Sequence, residues 1–261
     1  KNQMNKITCF GEVLWDNFPT YKKAGGASLN VALRLHSFEN DVKLISSLGN
    51  DPDGKDLNNY IKSKGLSLDY IQHNSEHSTS TVEVVLDHKG LASYTIKKPC
   101  AWDYIVLTNE LISIVKNSKA FLFGSLIARS KTSSNTLLKL LPFSRLSVFD
   151  INLRPPNYNM ITIKALMSAA DFIKFNDDEL IEISTSFGLQ DKTIEQTILF
   201  VASKTNTTSI CVTLGSQGAI LYFGQNTFPY QITKNIQFFF SNFGFLFLDL
   251  FPFICCDGLR C

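Results

Sequence analysis

Short apolar runs alternate with longer amphipathic segments from residue 6 to about residue 225, and this alternation is the strongest constraint on the fold. Residues 6–13 and 42–48 are predicted as strands, with helices predicted at 27–38 and 55–64. The second of these helices stops at Gly65. Further strands are predicted at 120–123, 146–150, 172–175 and 210–213, and further helices at 135–141, 161–170, 177–185 and 193–204. Strands that alternate with helices imply an α/β fold with a mainly parallel sheet covered on both faces. Ligands then belong at the carboxyl ends of the strands, so the loops after strands are expected to carry function.

One region breaks the alternation. Two β-rich runs within residues 79–97 flank His88-Lys89-Gly90 and predict a hairpin, which is either a small β lid or an edge decoration. Composition supports a globular chain: hydrophobic residues are 44% and charged residues 18%. The formal net charge is only +2 and there is no long basic run, so nucleic acid is not favoured as a partner. Cys9, Cys100 and Cys211 lie far apart without CxxC spacing, which predicts buried reduced thiols rather than zinc ligands. The first residues lack a signal-peptide apolar stretch, and a cytoplasmic protein is expected.

Several loops after predicted strands contain residues suited to chemistry. Gly25 and Gly26 lead into a helix on which Asn30 follows, so backbone could approach a ligand there, although a plain turn fits the pair as well. The first strand ends in Gly11-Glu12-Val13-Leu14-Trp15-Asp16, which places the Asp16 carboxylate at a strand's carboxyl end. Later come Asp150-Ile151-Asn152-Leu153-Arg154, then Lys174-Phe175-Asn176-Asp177-Asp178-Glu179, then Thr213-Leu214-Gly215-Ser216-Gln217-Gly218.

In this order and spacing the five motifs resemble those of the ribokinase-like (PfkB) carbohydrate kinases, over about residues 6–225. The start and the Ala101-Trp102-Asp103-Tyr104 segment are similar to fructokinases in particular. The resemblance implies an ATP- and Mg²⁺-dependent sugar kinase, with fructose preferred over ribose, 2-keto-3-deoxygluconate or nucleosides. It implies sugar contacts from Asp16, Gly25, Gly26 and Asn30, and a phosphate or substrate contact from Arg154. Asn152, Lys174, Asn176, Thr213, Gly215 and Gly218 fall to the nucleotide, and Glu179 to Mg²⁺ through water. It also makes the 79–97 hairpin the lid and suggests a homodimer through it. Trp102 could pack on a sugar face or in the core. His36, His73, His77 and His88 have no spacing that suggests chemistry.

The family's catalytic base is the Asp of a GAGD-type motif, expected near residues 234–247, and no GxGD stands between Gly218 and Cys261. Eight of the 21 phenylalanines instead fall between Phe238 and Phe253. The expected organisation is therefore a ribokinase-like domain at 1–234 and an aberrant tail at 235–261. An out-of-frame end is the leading reading of that tail. A membrane anchor would be opposed by Asp249 and Pro252, and a degenerate kinase that binds without turnover is the third reading.

Overall fold

The computed structural model of the chain describes residues 5–86, 92–224 and 226–230. The predicted hairpin tip at His88-Lys89-Gly90 and the predicted tail at 235–261 lie outside the described residues. The chain divides into two compact units, with the boundary between Arg145 and Leu146.

The first unit runs β1 (Lys6–Phe10), β2 (Leu14–Asn17), β3 (Lys22–Gly25), α1 (Ala27–Ser37), β4 (Asp41–Gly49), α2 (Pro52–Ser63) and β5 (Ile71–Asn74). It continues with β6 (Ser80–Leu86), β7 (Ala92–Ile96), α3 (Asn109–Asn117), β8 (Ala120–Gly124) and α4 (Lys131–Leu140). Strands β5, β4, β1 and β8 lie side by side in that order and all pair in parallel. Their apolar side chains are covered: Ile7, Phe10, Ile45, Leu48 and Phe121 are fully buried. Each such side chain is worth roughly 1.5–3 kcal/mol relative to exposure. The rings of Phe10 and Phe121 meet edge to face at 6.1 Å.

A second sheet in this unit has the order β3-β2-β6-β7. Strand β2 pairs antiparallel with β3 and parallel with β6, while β6 and β7 form the expected antiparallel hairpin. The predicted strand at 6–13 is corrected here. It ends at Phe10, and the chain leaves the parallel sheet at Gly11, where a Cβ would stand 1.9 Å from Ser28 Oγ. Asp16 therefore does not end the first strand but sits inside β2, in the other sheet.

The second unit holds β9 (Ser147–Asp150), α5 (Met160–Ser168), β10 (Phe172–Asn176), α6 (Asp177–Ser186) and α7 (Ile194–Thr205). It ends with β11 (Ser209–Thr213), β12 (Ala219–Phe223) and β13 (Asn226–Tyr230). Strands β9, β10 and β11 pair in parallel, and β12 and β13 add to them antiparallel. Phe149, Phe172, Ile173, Phe175 and Val212 fill its core. Local chemistry sets the helix ends. Thr193 and Gln196 form a capping box at the start of α7, and Asn206 closes it in the left-handed region at φ 55°.

The three cysteines among the described residues are buried and free. Burial pushes the thiol pKa of Cys9 and of Cys211 up to about 12, so these are inert core residues. Among the described residues no helix is long and apolar enough to cross a membrane.

Candidate functional site

The first cluster is built where β2, β3 and α1 meet. Strand β2 places Leu14 opposite Gly25 and Asp16 opposite Lys23, so the half-buried Asp16 carboxylate comes over the backbone of Gly25. A Cβ on Gly25 would lie 2.3 Å from Asp16 Oδ2, and this glycine is what leaves room for the carboxylate. Gly26 is required for a different reason. Its φ is 102°, and a Cβ there would stand 2.4 Å from the backbone oxygen of Glu12. Helix α1 starts directly after it.

Gly26 supplies no side chain to cap α1. Glu12 does so from the preceding segment: its Oε1 accepts the Ala27 N–H at 2.8 Å, and the residue is 2% exposed. A carboxylate at a helix N-terminus is stabilised by the free N–H groups and the dipole. Sequence reading passed over Glu12, because nothing in the GEVLWD string separates a cap from a surface acid. Asn30 lies on α1 and is exposed. The strand itself is held against α2: the Trp15 indole N–H donates to Asp53 O at 3.1 Å, and Lys22 lies over the Trp15 ring at 4.5 Å.

The second cluster belongs to the second unit, at the carboxyl ends of β9, β10 and β11. Asn176 caps α6, its side chain accepting the Glu179 N–H at 2.7 Å, while Glu179 Oε2 accepts the Asn176 N–H at 2.9 Å. Oε1 of the same carboxylate accepts the N–H of Leu153 at 2.9 Å. Glu179 thereby ties the loop after β9 to the start of α6. It is 5% exposed, and burial, with the Asp150 charge nearby, raises its pKa against the two N–H groups and Lys174.

That loop is shaped by Asn152, buried and in the left-handed region at φ 39°. Arg154 follows it and is exposed, with Nη1 donating to Leu153 O at 3.0 Å. Lys174 pairs with Asp150 at 3.1 Å, the side chains being 12% and 22% exposed, so it is not the freely solvated lysine that a strand end suggests. Thr213 Oγ1 donates to Phe175 O at 3.2 Å at the end of β11. The turn after it is closed by the Leu214 N–H donating to Gly218 O at 2.8 Å. Gly215 and Gly218 take φ of 54° and 107° in that turn.

Some residues singled out in the sequence do not join either cluster. Trp102 is fully buried with Arg129 stacked 3.9 Å from its ring, so it is core and not a sugar-facing aromatic. His77 stacks on Tyr104 at 3.8 Å, and His36 lies beneath Gly65, as structural histidines do. Arg129 and Asp103, a buried ion pair, escaped sequence reading because no pattern marks two residues of opposite charge that meet only in the fold. Among the described residues there is no group of three His, Cys, Asp or Glu side chains able to cage a metal.

The model of the "pfkB family carbohydrate kinase" matches residues 4–237. A probable fructokinase-4 of Arabidopsis thaliana is 26% identical over 238 residues, spanning 83% of this chain and 72% of that protein. Fructokinase-2 of Solanum habrochaites is 25% identical, with 83% and 71% covered. Among solved structures, a fructokinase of Halothermothrix orenii superposes with a TM-score of 0.76 at 22% identity, over 88% of this chain and 87% of that one. A Vibrio cholerae O395 fructokinase, solved with fructose, ADP and potassium ion bound, superposes with a TM-score of 0.74 at 20% identity, covering 88% and 77%. The expected ribokinase-like α/β fold is therefore the observed one.

Proposed function

The chain belongs to the pfkB family of carbohydrate kinases, and on that footing we propose that it transfers the γ-phosphoryl group of ATP to a sugar hydroxyl, with fructose as the preferred acceptor. The observation that carries this reading is the Asp16 carboxylate laid over Gly25 beside the start of α1. A half-buried carboxylate and an exposed amide from Asn30 provide acceptors and a donor for adjacent sugar hydroxyls. Fructose comes first because the matched relatives are named fructokinases, and Vibrio cholerae fructokinase was solved with fructose and ADP.

Phosphoryl transfer is mostly positioning and electrostatic stabilisation. Arg154 offers a planar fork of donors to phosphate oxygens or to the substrate. Lys174, Asn152 and Asn176 line the ends of β9 and β10, and the Thr213–Gly218 turn lets backbone approach the nucleotide. Glu179 fits a water-mediated hold on Mg²⁺: each carboxylate oxygen accepts one backbone N–H, which leaves each with further acceptor capacity, and the Asp150 charge stands near it. Bound there with the phosphates, the ion would neutralise charge developing on the transferred group. The β6–β7 hairpin is proposed as the lid that excludes water, and as the surface of a homodimer.

A second reading rests on one sequence feature, the lack of any GxGD between Gly218 and Cys261. It makes the chain a sugar- or nucleotide-binding relative without turnover. A coupled assay of ADP release with ATP, Mg²⁺ and a panel of fructose, ribose, 2-keto-3-deoxygluconate and nucleosides separates the two, run beside calorimetric titration of each sugar. Sugar-dependent ADP release supports the kinase. Sugar binding with no release supports the second reading, and no sugar binding sinks the kinase and leaves of the second reading only its nucleotide-binding form.

A further inference from the structure

Both ends of the β6–β7 hairpin are held by polar contacts that no motif announces. At its entry, the Thr79 N–H donates to Asp51 Oδ2 at 2.7 Å, and the Thr79 hydroxyl accepts the Gly49 N–H at 3.0 Å. At its exit, the Lys97 N–H donates to Thr81 O at 3.0 Å, and the Ala101 N–H donates to Ser78 O at 2.8 Å, joining the two ends. Beneath the exit lies the Arg129–Asp103 pair. Nε and Nη2 of Arg129 reach Oδ1 and Oδ2 of Asp103, each at 2.8 Å, and the side chains are 1% and 2% exposed.

Such a pair adds little stability by itself, because desolvation offsets the attraction. Its significance lies in a third contact. Nη2 also donates to the carbonyl of Lys97 at 2.6 Å, on the exposed residue directly after β7. The guanidinium is fixed from several sides, by the Trp102 ring at 3.9 Å and by Asp103, whose Oδ2 also accepts the Cys100 N–H at 3.0 Å. A lysine could meet Asp103 but has no rigid fork with which to hold the Lys97 carbonyl as well.

The strand register shows what this fixes. Lys97 follows Ile96, Ile96 pairs with Val82, and Val82 pairs on its other side with Asp16. The anchored residue is thus one step along the chain and two strands across from the carboxylate assigned to the sugar. We propose that Arg129 is a positioning residue for the sugar site: it fixes the base of β7 and, through the Ile96–Val82–Asp16 row, the carboxylate of Asp16. The inference rests on the assignment of Asp16 to the sugar.

The test uses the full chain with Arg129→Lys and with the double change Asp103→Leu, Arg129→Met, which removes both charges and so leaves none buried alone. Amide exchange is followed over residues 80–86 and 92–97, and fructose and ADP are titrated separately by calorimetry. Expected are faster exchange in the hairpin strands and fructose affinity lower by about tenfold or more, with ADP affinity changed less than about twofold. Unchanged hairpin exchange, or equal losses for both ligands, would overturn the proposal. If the wild type binds no fructose, the sugar assignment itself has failed, and the exchange measurement still decides whether Arg129 anchors the hairpin.

Discussion

The carboxylate of Asp16 lies across Gly25 so closely that a methyl group built on the glycine would stand 2.3 Å from Oδ2 and 3.1 Å from Cγ. The obstructing atom is the end of a side chain that can turn away. At Gly26 it is the backbone oxygen of Glu12, which cannot, and φ is 102°.

The two adjacent glycines should therefore fail differently. Gly25→Ala is expected to keep stability within about 1 kcal/mol while displacing Asp16, so sugar affinity falls with little change in melting temperature. Gly26→Ala should destabilise by about 1–3 kcal/mol through backbone strain. Thermal unfolding beside fructose titration checks both, and a Gly25→Ala chain that binds sugar normally would remove Asp16 from the site.

Arg154 is exposed, whereas Arg129 is enclosed. Arg154→Ala is expected to leave stability within about 0.5 kcal/mol. It should weaken binding of a phosphate-bearing ligand by about 1.5–3 kcal/mol, the range for hydrogen bonds to charged groups. Titration with ATP at two salt concentrations reads the effect, and unchanged affinity at low salt would leave Arg154 as a surface residue.

Glu179 sets one branch of the pH dependence. Burial raises its pKa, so the folded state holds this proton more tightly than the unfolded chain does. Its contribution to stability is complete below the ordinary value of 4.5 and is lost as pH rises through the raised value. Glu179→Gln should flatten that fall. It should also cost about 1–3 kcal/mol, because an amide NH₂ would face one of the two backbone N–H groups. Denaturant unfolding at a series of pH values above 4 checks the slope, and a slope identical to wild type would contradict the assignment.

Asp51 works with the opposite sign. Burial alone would raise its pKa, but hydrogen bonds from Thr79 and Gly54, with the Lys97 charge, bring it below 3.8. The folded state therefore favours the anion. That stability is present above 3.8 and is lost as pH falls through the lowered value. Asp51→Asn should cost about 1–3 kcal/mol near neutrality, because its two oxygens accept the Thr79 and Gly54 N–H groups and an amide NH₂ would face one of them, and the difference from wild type should close in acid. A gap that stays constant from neutrality into acid would show that the Asp51 charge does not matter.

The alternation of apolar runs marked β1, β4, β8, β9, β10 and β11 within a few residues, since strand periodicity, helix caps and turn glycines are local properties of the chain. The hairpin of β6 and β7 was legible for the same reason. Strands β2, β3, β5, β12 and β13 were not, because each takes its place from the strand it pairs with, and helix α3 was passed over although Thr108 caps it.

By itself the sequence determined the order of most strands and helices, and so the five motifs that carry the family resemblance. Tertiary structure alone decided where their side chains lie and what they meet. It moved Asp16 out of the first strand into a second sheet, and it turned Trp102 into core beneath Arg129. It spent both oxygens of Glu179 on backbone N–H groups, one of them 26 residues away. Each of these depends on groups far apart in sequence meeting in a desolvated place, where an unpaired polar atom is costly, and no local pattern records which partner will be there.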